Sequence, residues 1–222
     1  MGSEFPQALQ GLLQPRAYPH AVGGIKVITT HLSWVLLTGQ FAYKIKRPVH
    51  YPFVDLRTPE KRAFLCHEEV HLNRRFAPGI YLEVCPITLV NGESRMGGAG
   101  PVVDHAVKMR QFPGEEQLDC LLEKGRIGPS ELRSFGAELA RIHDRLPRVS
   151  AMQEWGQPAT AGAIILENLE ECARAADAAW GNDTDVQALR APMLARIESS
   201  APLISQRFAN GRVRECHGDL HT

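Results

Sequence analysis

The sequence predicts an α+β fold in two parts: a small antiparallel sheet carrying one helix, then a mainly helical half. Three observations predict it. Short runs rich in β-branched and aromatic residues crowd positions 25–111. One capped helical segment interrupts them near residue 60. After Pro113-Gly114 the apolar residues recur at spacings of three and four. Two lobes are therefore expected, over residues 6–111 and 112–222, hinged near 109–114.

The elements follow in order. Residues 1–5, "MGSEF", have the form of two adjacent cloning sites and are set aside as a vector-encoded scar. "IKVITT" (25–30), "LSWVLLT" (32–38) and "FAYKIKR" (41–47) read as strands, with Gly39-Gln40 as a tight turn between the last two. A helix is expected over 59–76, with Thr58 as its N-cap, Pro59 at its first position and Pro78 closing the pattern. Leu65, Leu72 and Phe76 form its expected apolar stripe. "EVCPITLV" (83–90) and "VVDHAVKMRQ" (102–111) read as two further strands, with "NGESRMGGAG" as a glycine-rich hairpin loop between them. Helices are expected over 115–124, 130–146, 160–180 and 184–208, the second capped by Ser130, and "RVREC" (212–216) as a short strand.

Composition excludes several classes. Lys plus Arg and Asp plus Glu both total 25, so the formal net charge is zero, which argues against a nucleic-acid partner. No apolar run approaches the ~18 residues that would span a bilayer. The N-terminus lacks a basic and then apolar leader. No membrane partner and a cytoplasmic location are therefore expected. The five cysteines, Cys66, Cys85, Cys120, Cys172 and Cys216, are scattered and form no C-x-x-C, which predicts reduced thiols and no metal site.

Three places carry candidate chemistry. In "ECHGDLHT" (215–222), an aspartate two residues after a histidine, on a loop leaving a strand, suits a general base for a hydroxyl nucleophile; a turn aspartate satisfied by local N–H groups reads equally well. In "FAYK" (41–44), Lys44 lies in a strand with small Ala42 on the same face, leaving flat space beside a cation. Lys46 faces the same side and competes for the role, and a solvated edge lysine is the plain alternative. On the helix, Glu69 falls on the inward stripe, with Glu68 rotated about 100° away. A carboxylate there needs a cation, and Lys44 on the neighbouring strand is the obvious one.

The order of these parts, strand lysine, helix glutamate, two strands, helical half, then an H-G-D loop, resembles a protein-kinase-like phosphotransferase. "HGDLH" has the form of the catalytic loop of aminoglycoside phosphotransferases. "THLSWVLLTGQFAYKIKRPV", "EEVHLNRRFAPGIYLEVCPI", "AVKMRQFP" and "ELARIHDRL" further resemble a bacterial subgroup of that family, over roughly residues 17–222. The resemblance implies a protein-kinase-like two-lobe fold whose second lobe is incomplete at its end. It implies ATP as phosphoryl donor, Mg²⁺, and the hydroxyl of a small molecule as acceptor. It assigns Asp219 as catalytic base, Lys44 as the grip on the α- and β-phosphates, and Glu69 as the ion-pair partner. Lys108, Met109 and Arg110 become the hinge that hydrogen-bonds adenine, and His217 orients the loop. Thr30 to Ser33 fall where the first hairpin covers phosphates, without a G-x-G-x-x-G. A fused or associated P-loop ATPase domain is often found in that subgroup, but no G-x-x-x-x-G-K-[ST] occurs in this chain.

The family's metal-binding asparagine and a further aspartate belong beyond Thr222, so a truncated and catalytically crippled chain is expected. The alternative is a non-catalytic, pseudokinase-like module that binds a nucleotide or small ligand and regulates a partner. For a polycationic acceptor, Glu115, Glu116, Asp119, Glu167, Glu170 and Glu171 are available, although acidic helix faces are usually just solvated.

Overall fold

The computed structural model describes residues 5–150 and 154–218. The chain divides into two compact units that part between Ile142 and His143. The architecture is mixed: an antiparallel sheet and six α-helices among the described residues. No helix of those residues is long and apolar enough to cross a membrane.

In the first unit, strands β1 (Lys26–Thr29), β2 (Ser33–Leu37) and β3 (Phe41–Lys46) form a meander. The β2–β3 turn is two residues long, with Gly39 at φ +92°, the conformation that a hairpin's first central position requires here. A two-residue pair, β4 (His50–Tyr51) and β5 (Val54–Asp55), leads into helix α1 (Pro59–Asn73). The Thr58 hydroxyl accepts from the Lys61 N–H at 3.4 Å, so the expected cap is in place.

Helix α1 ends at Asn73, before the expected residue 76, and its buried line differs from the expected stripe. Arg62, Cys66 and Val70 are buried, while Leu65 and Leu72 are only half-buried. The helix is held by ion pairs as well as by apolar contact, so its inward face does not follow its leucines.

Strands β6 (Tyr81–Val90), β7 (Glu93–Met96) and β8 (Val102–Arg110) form a second three-stranded group with β6 in the middle, so the chain passes across the end of β6 between β7 and β8. The stretch expected to be one loop therefore contains a strand. Asn91 and Gly92 both have positive φ, 53° and 80°, which makes the two-residue turn that returns the chain at once. Ser94 and Met96 then point inward and are buried. The sheet order is β1-β2-β3-β8-β6-β7, so β3 and β8 join the meander to the second group.

Each face of this sheet is covered. On one side lie Cys66 and Val70 of α1 with Val107, Val84 and Met109. On the other, a 3-10 segment, Gln7–Leu13, lays Leu9 and Leu12 against Trp34, Leu36, Tyr43, Ile45, Ile87 and Met96. Phe5, set aside on sequence grounds, stands edge-on to Trp34 with ring centroids 5.6 Å apart. At Gly11 any Cβ would sit 2.7 Å from the Ser94 carbonyl oxygen, so only glycine fits this close crossing.

Helices α2 (Leu118–Glu123) and α3 (Pro129–Arg145) follow. Ser130 is not the cap of α3. It lies inside the helix, where its hydroxyl donates to the Glu131 carboxylate at 2.8 Å. Pro129 takes the first helical position, which moves the boundary back to Gly128.

The second unit is built on α4 (Pro158–Trp180), α5 (Thr184–Ala188) and α6 (Arg190–Ala209). Gly181, at φ +67°, ends α4 in the left-handed cap. Leu169, Ala173 and Ala176 of α4 are buried. "RVREC" supplies only an isolated bridge, Arg214 with Arg148, instead of a strand. The Arg214 guanidinium is drawn to the carbonyl oxygens of Leu146 (2.6 Å) and Asp144 (3.1 Å) instead of extending a ladder.

Candidate functional site

Strand β3 alternates its side chains, so Tyr43 and Ile45 enter the main core while Lys44 and Lys46 face α1. Both lysines meet Glu69. The Lys44 Nζ donates to Oε1 at 2.7 Å, and the Lys46 Nζ donates to Oε2. The two candidate lysines thus divide one carboxylate between them. Asn73 donates to the Glu69 carbonyl oxygen at 2.8 Å, one turn further along the helix. Glu68 is not in the pair.

The carboxylate is 11% exposed, Lys46 is 12% exposed and Lys44 is 31% exposed, so Lys44 is the member that reaches solvent. Burial alone would raise the Glu69 pKa, but the charges of Lys44 and Lys46 and their hydrogen bonds outweigh it and hold it below the ordinary carboxylate value. Burial likewise opposes the Lys44 charge, and Glu69 more than restores it, leaving its pKa raised.

A group whose folded pKa is depressed stabilises the fold above its unfolded pKa. That stability is lost as pH falls through the folded value. Acid destabilisation from Glu69 is therefore expected to begin near the unfolded glutamate pKa of about 4.3 and continue below it. Denaturant midpoints from pH 7 to pH 3 test this. Glu69→Gln should flatten that part of the profile, and an unchanged acid limb in the variant would refute the assignment.

Two neighbours were not legible as site residues. Tyr81 of β6 stands beside the pair, its pKa raised by burial and then by the Glu69 charge, and so stays a neutral phenol. A buried ion pair lies further along the same helix face. Arg62 Nε is 3.1 and 3.0 Å from the two Asp104 oxygens, and Nη2 is 2.8 Å from Oδ2. Its Nη1 donates to the carbonyl oxygens of Leu56 (3.0 Å) and Arg57 (3.1 Å). Arg62 lies seven residues before Glu69, hence on the same helix face, and that spacing was the available signal. The Cys66 thiol between them is pushed up to about 12 by burial, which makes it an inert packing group.

Ala42, expected to leave flat space beside Lys44, is itself buried at 6% exposure. Lys108, Met109 and Arg110 lie in β8, paired to Tyr43, Ala42 and Phe41 on one side. Lys108 and Met109 pair with Glu83 and Tyr81 on the other. The Gln111 N–H closes the ladder on the Gln40 carbonyl at 3.1 Å, so the strand's paired backbone extends past the expected hinge and Phe112 is the first residue beyond it. The Lys108 ammonium is engaged by Glu83 at 2.8 Å and lies 4.7 Å above the Phe41 ring. The turn from Thr30 to Ser33 is closed on itself. The Thr30 hydroxyl accepts from Ser33 N–H at 3.0 Å, and Arg47 donates to the carbonyl oxygens of Thr30 (2.6 Å) and His31 (3.1 Å). His217 is half-buried, and Asp219 lies outside the described residues.

In the second unit, Glu170, Arg174, Asp177, Asp183 and Arg190 line an open cavity of about 470 Å³. Glu170 is met by Arg190 at 3.3 Å and Glu171 by Arg174 at 2.7 Å, so this region carries mixed charge instead of an acidic face. No group of three or more His, Cys, Asp or Glu side chains able to hold a metal occurs among the described residues.

Neither a protein-family model nor a solved structure matches the chain. Curated relatives do match: uncharacterized proteins from two strains of Mycobacterium tuberculosis and from Mycobacterium bovis. Each is 29% identical over 196 residues, covering 88% of this chain and 38% of the relative. The chain is thus similar to one stretch of longer mycobacterial proteins and spans about two fifths of their length.

Proposed function

We propose that this chain is the donor-binding part of an ATP-dependent phosphotransferase of the aminoglycoside-phosphotransferase type, with a protein-kinase-like two-lobe fold, acting on a hydroxyl of a small molecule. The observation that carries the reading is the Lys44–Glu69 ion pair, made from β3 to α1 across 25 residues. The motif resemblance requires an ion pair between these two positions.

In this reading Lys44 draws the donor's phosphate oxygens toward the sheet and offsets their charge. Before the donor arrives, Glu69 holds the lysine's charge at the sheet face. The adenine edge meets backbone near Phe112, because 108–110 are already paired within the sheet. Asp219 accepts the proton of the acceptor hydroxyl as it attacks the γ-phosphorus, and the bond to the β–γ bridging oxygen breaks with ADP leaving. Among the described residues no group of three or more His, Cys, Asp or Glu side chains could hold the magnesium ion that the family uses. Longer polypeptides like the matched relatives have room for an associated P-loop ATPase domain. ATP as donor places the reaction in the cytoplasm.

The test is calorimetric titration of this chain with ATP, followed by transfer assays on a polypeptide that continues past Thr222. Saturable binding with Asp219-dependent transfer is expected. Binding without transfer in the longer polypeptide would establish instead the regulatory, non-catalytic module. Absence of binding in both would remove the nucleotide reading.

A further inference from the structure

Beneath α1, cations outnumber carboxylates. Among the described residues, Lys44, Lys46 and Arg62 are ion-paired with just two carboxylates, Glu69 and Asp104. Arg62 satisfies Asp104 through a forked contact, and the His105 N–H adds a third donor to that carboxylate at 2.9 Å. Of the remaining titratable neighbours, His105 is driven toward its neutral form by burial, and burial keeps Tyr81 and Cys66 protonated and uncharged. Two lysines therefore share one glutamate, leaving one positive charge at a mostly buried site. A buried cation without its own anion is costly, and Lys44, the more exposed of the two, is where an anion from solvent would reach it.

We propose that Lys46 is a second, positioning lysine of the donor site: it retains Glu69, so that Lys44 meets a polyphosphate as an uncompensated cation. The choice of ligand rests on the phosphotransferase reading above. The division of the carboxylate carries the argument. Glu69 Oε2 is taken by Lys46, so Lys44 can leave Oε1 for a phosphate oxygen without stranding the glutamate. With one lysine alone, Glu69 would cancel the charge that the ligand needs.

The experiment titrates this chain with inorganic tripolyphosphate, without metal at low salt, and compares Lys46→Met, Lys46→Arg, Glu69→Gln and the Lys46→Met/Glu69→Gln pair. Circular-dichroism melts report folding of each. Lys46→Met is expected to weaken binding about tenfold or more, the effect of one charge-assisted contact. Lys46→Arg should retain binding. The double variant restores one net positive charge and should return to within a few-fold of wild type, a rescue that a merely structural role would not give. Glu69→Gln alone should bind at least as tightly as wild type. Wild-type affinity in Lys46→Met, no rescue in the double variant, or no saturable tripolyphosphate binding by the wild type would each overturn the proposal. Failure of the nucleotide reading looks different: the charge pattern holds, but ATP binds no tighter than tripolyphosphate. ATP binding that exceeds tripolyphosphate yet ignores Lys46→Met leaves the nucleotide reading standing and removes the clamp.

Discussion

Replacing Arg62 with alanine is expected to cost about 3–5 kcal/mol of stability, the usual effect of removing one partner from a buried ion pair. The side chains of Arg62 and Asp104 are only 9% and 8% exposed, so water cannot take the place of either. Without Arg62, Asp104 keeps, among the described residues, one backbone donor from His105, and the carbonyl oxygens of Leu56 and Arg57 lose the Arg62 donor. A domain's whole stability is about 5–15 kcal/mol, so this change should move the thermal midpoint by many degrees or prevent folding. Replacing both partners, Arg62→Met with Asp104→Leu, should recover most of the loss, because no charge is then buried alone. Denaturant melts of the single and double variants check this. A single-variant loss below about 1 kcal/mol would mean that the pair is solvated in solution.

The second large effect concerns ATP. Lys44→Met should weaken ATP binding on the order of 10- to 150-fold, corresponding to about 1.5–3 kcal/mol for a hydrogen bond to a charged group. The fold should survive, because Glu69 keeps Lys46 as its partner. Affinity and stability are therefore expected to separate: a large change in Kd with little change in melting temperature. In a polypeptide that continues past Thr222, the same variant should lose transfer rate at least in proportion. Unchanged affinity would remove Lys44 from the donor site. A collapse of stability together with affinity would make it a structural lysine.

Much of the first unit was legible in the sequence. Strand composition located β1 to β3, and Thr58-Pro59 marked the start of α1, because those residue types act through local chemistry. Inward Glu69 was legible from its place in the helical turn. What escaped depended on partners distant along the chain. Arg62 reads as one more solvated basic residue until Asp104, in another strand, is known to lie beneath it. The stripe of Leu65, Leu72 and Phe76 misled for the same reason: hydrophobicity alone does not reveal that the face is held by charge. Strand β7 was hidden by glycines, which read as a loop although Asn91-Gly92 is itself a strong hairpin signal. The stacking of Leu9 and Leu12 on the sheet was not visible, since short 3-10 turns have no period long enough to detect. Asp219 rests on the motif alone.

The joining of the two three-stranded groups at β3 and β8 has a consequence for how the site comes into being. Each group is wired locally, so its connections close short loops at low entropic cost. The seam pairs distant segments, Ile45 with Ala106 and Lys44 with Val107, and can form only after a long loop has closed. Lys44 lies on that seam, and its partner comes from the helix inside the closed loop. The ion pair is thus absent from either group alone and appears when they dock. A ligand gripping Lys44 would bind only the docked form and draw the population toward it by mass action. Amide exchange at Lys44 and Val107 should then slow with ATP more than exchange at the β6–β7 turn, making folding of the seam and occupancy of the site one equilibrium seen from two ends.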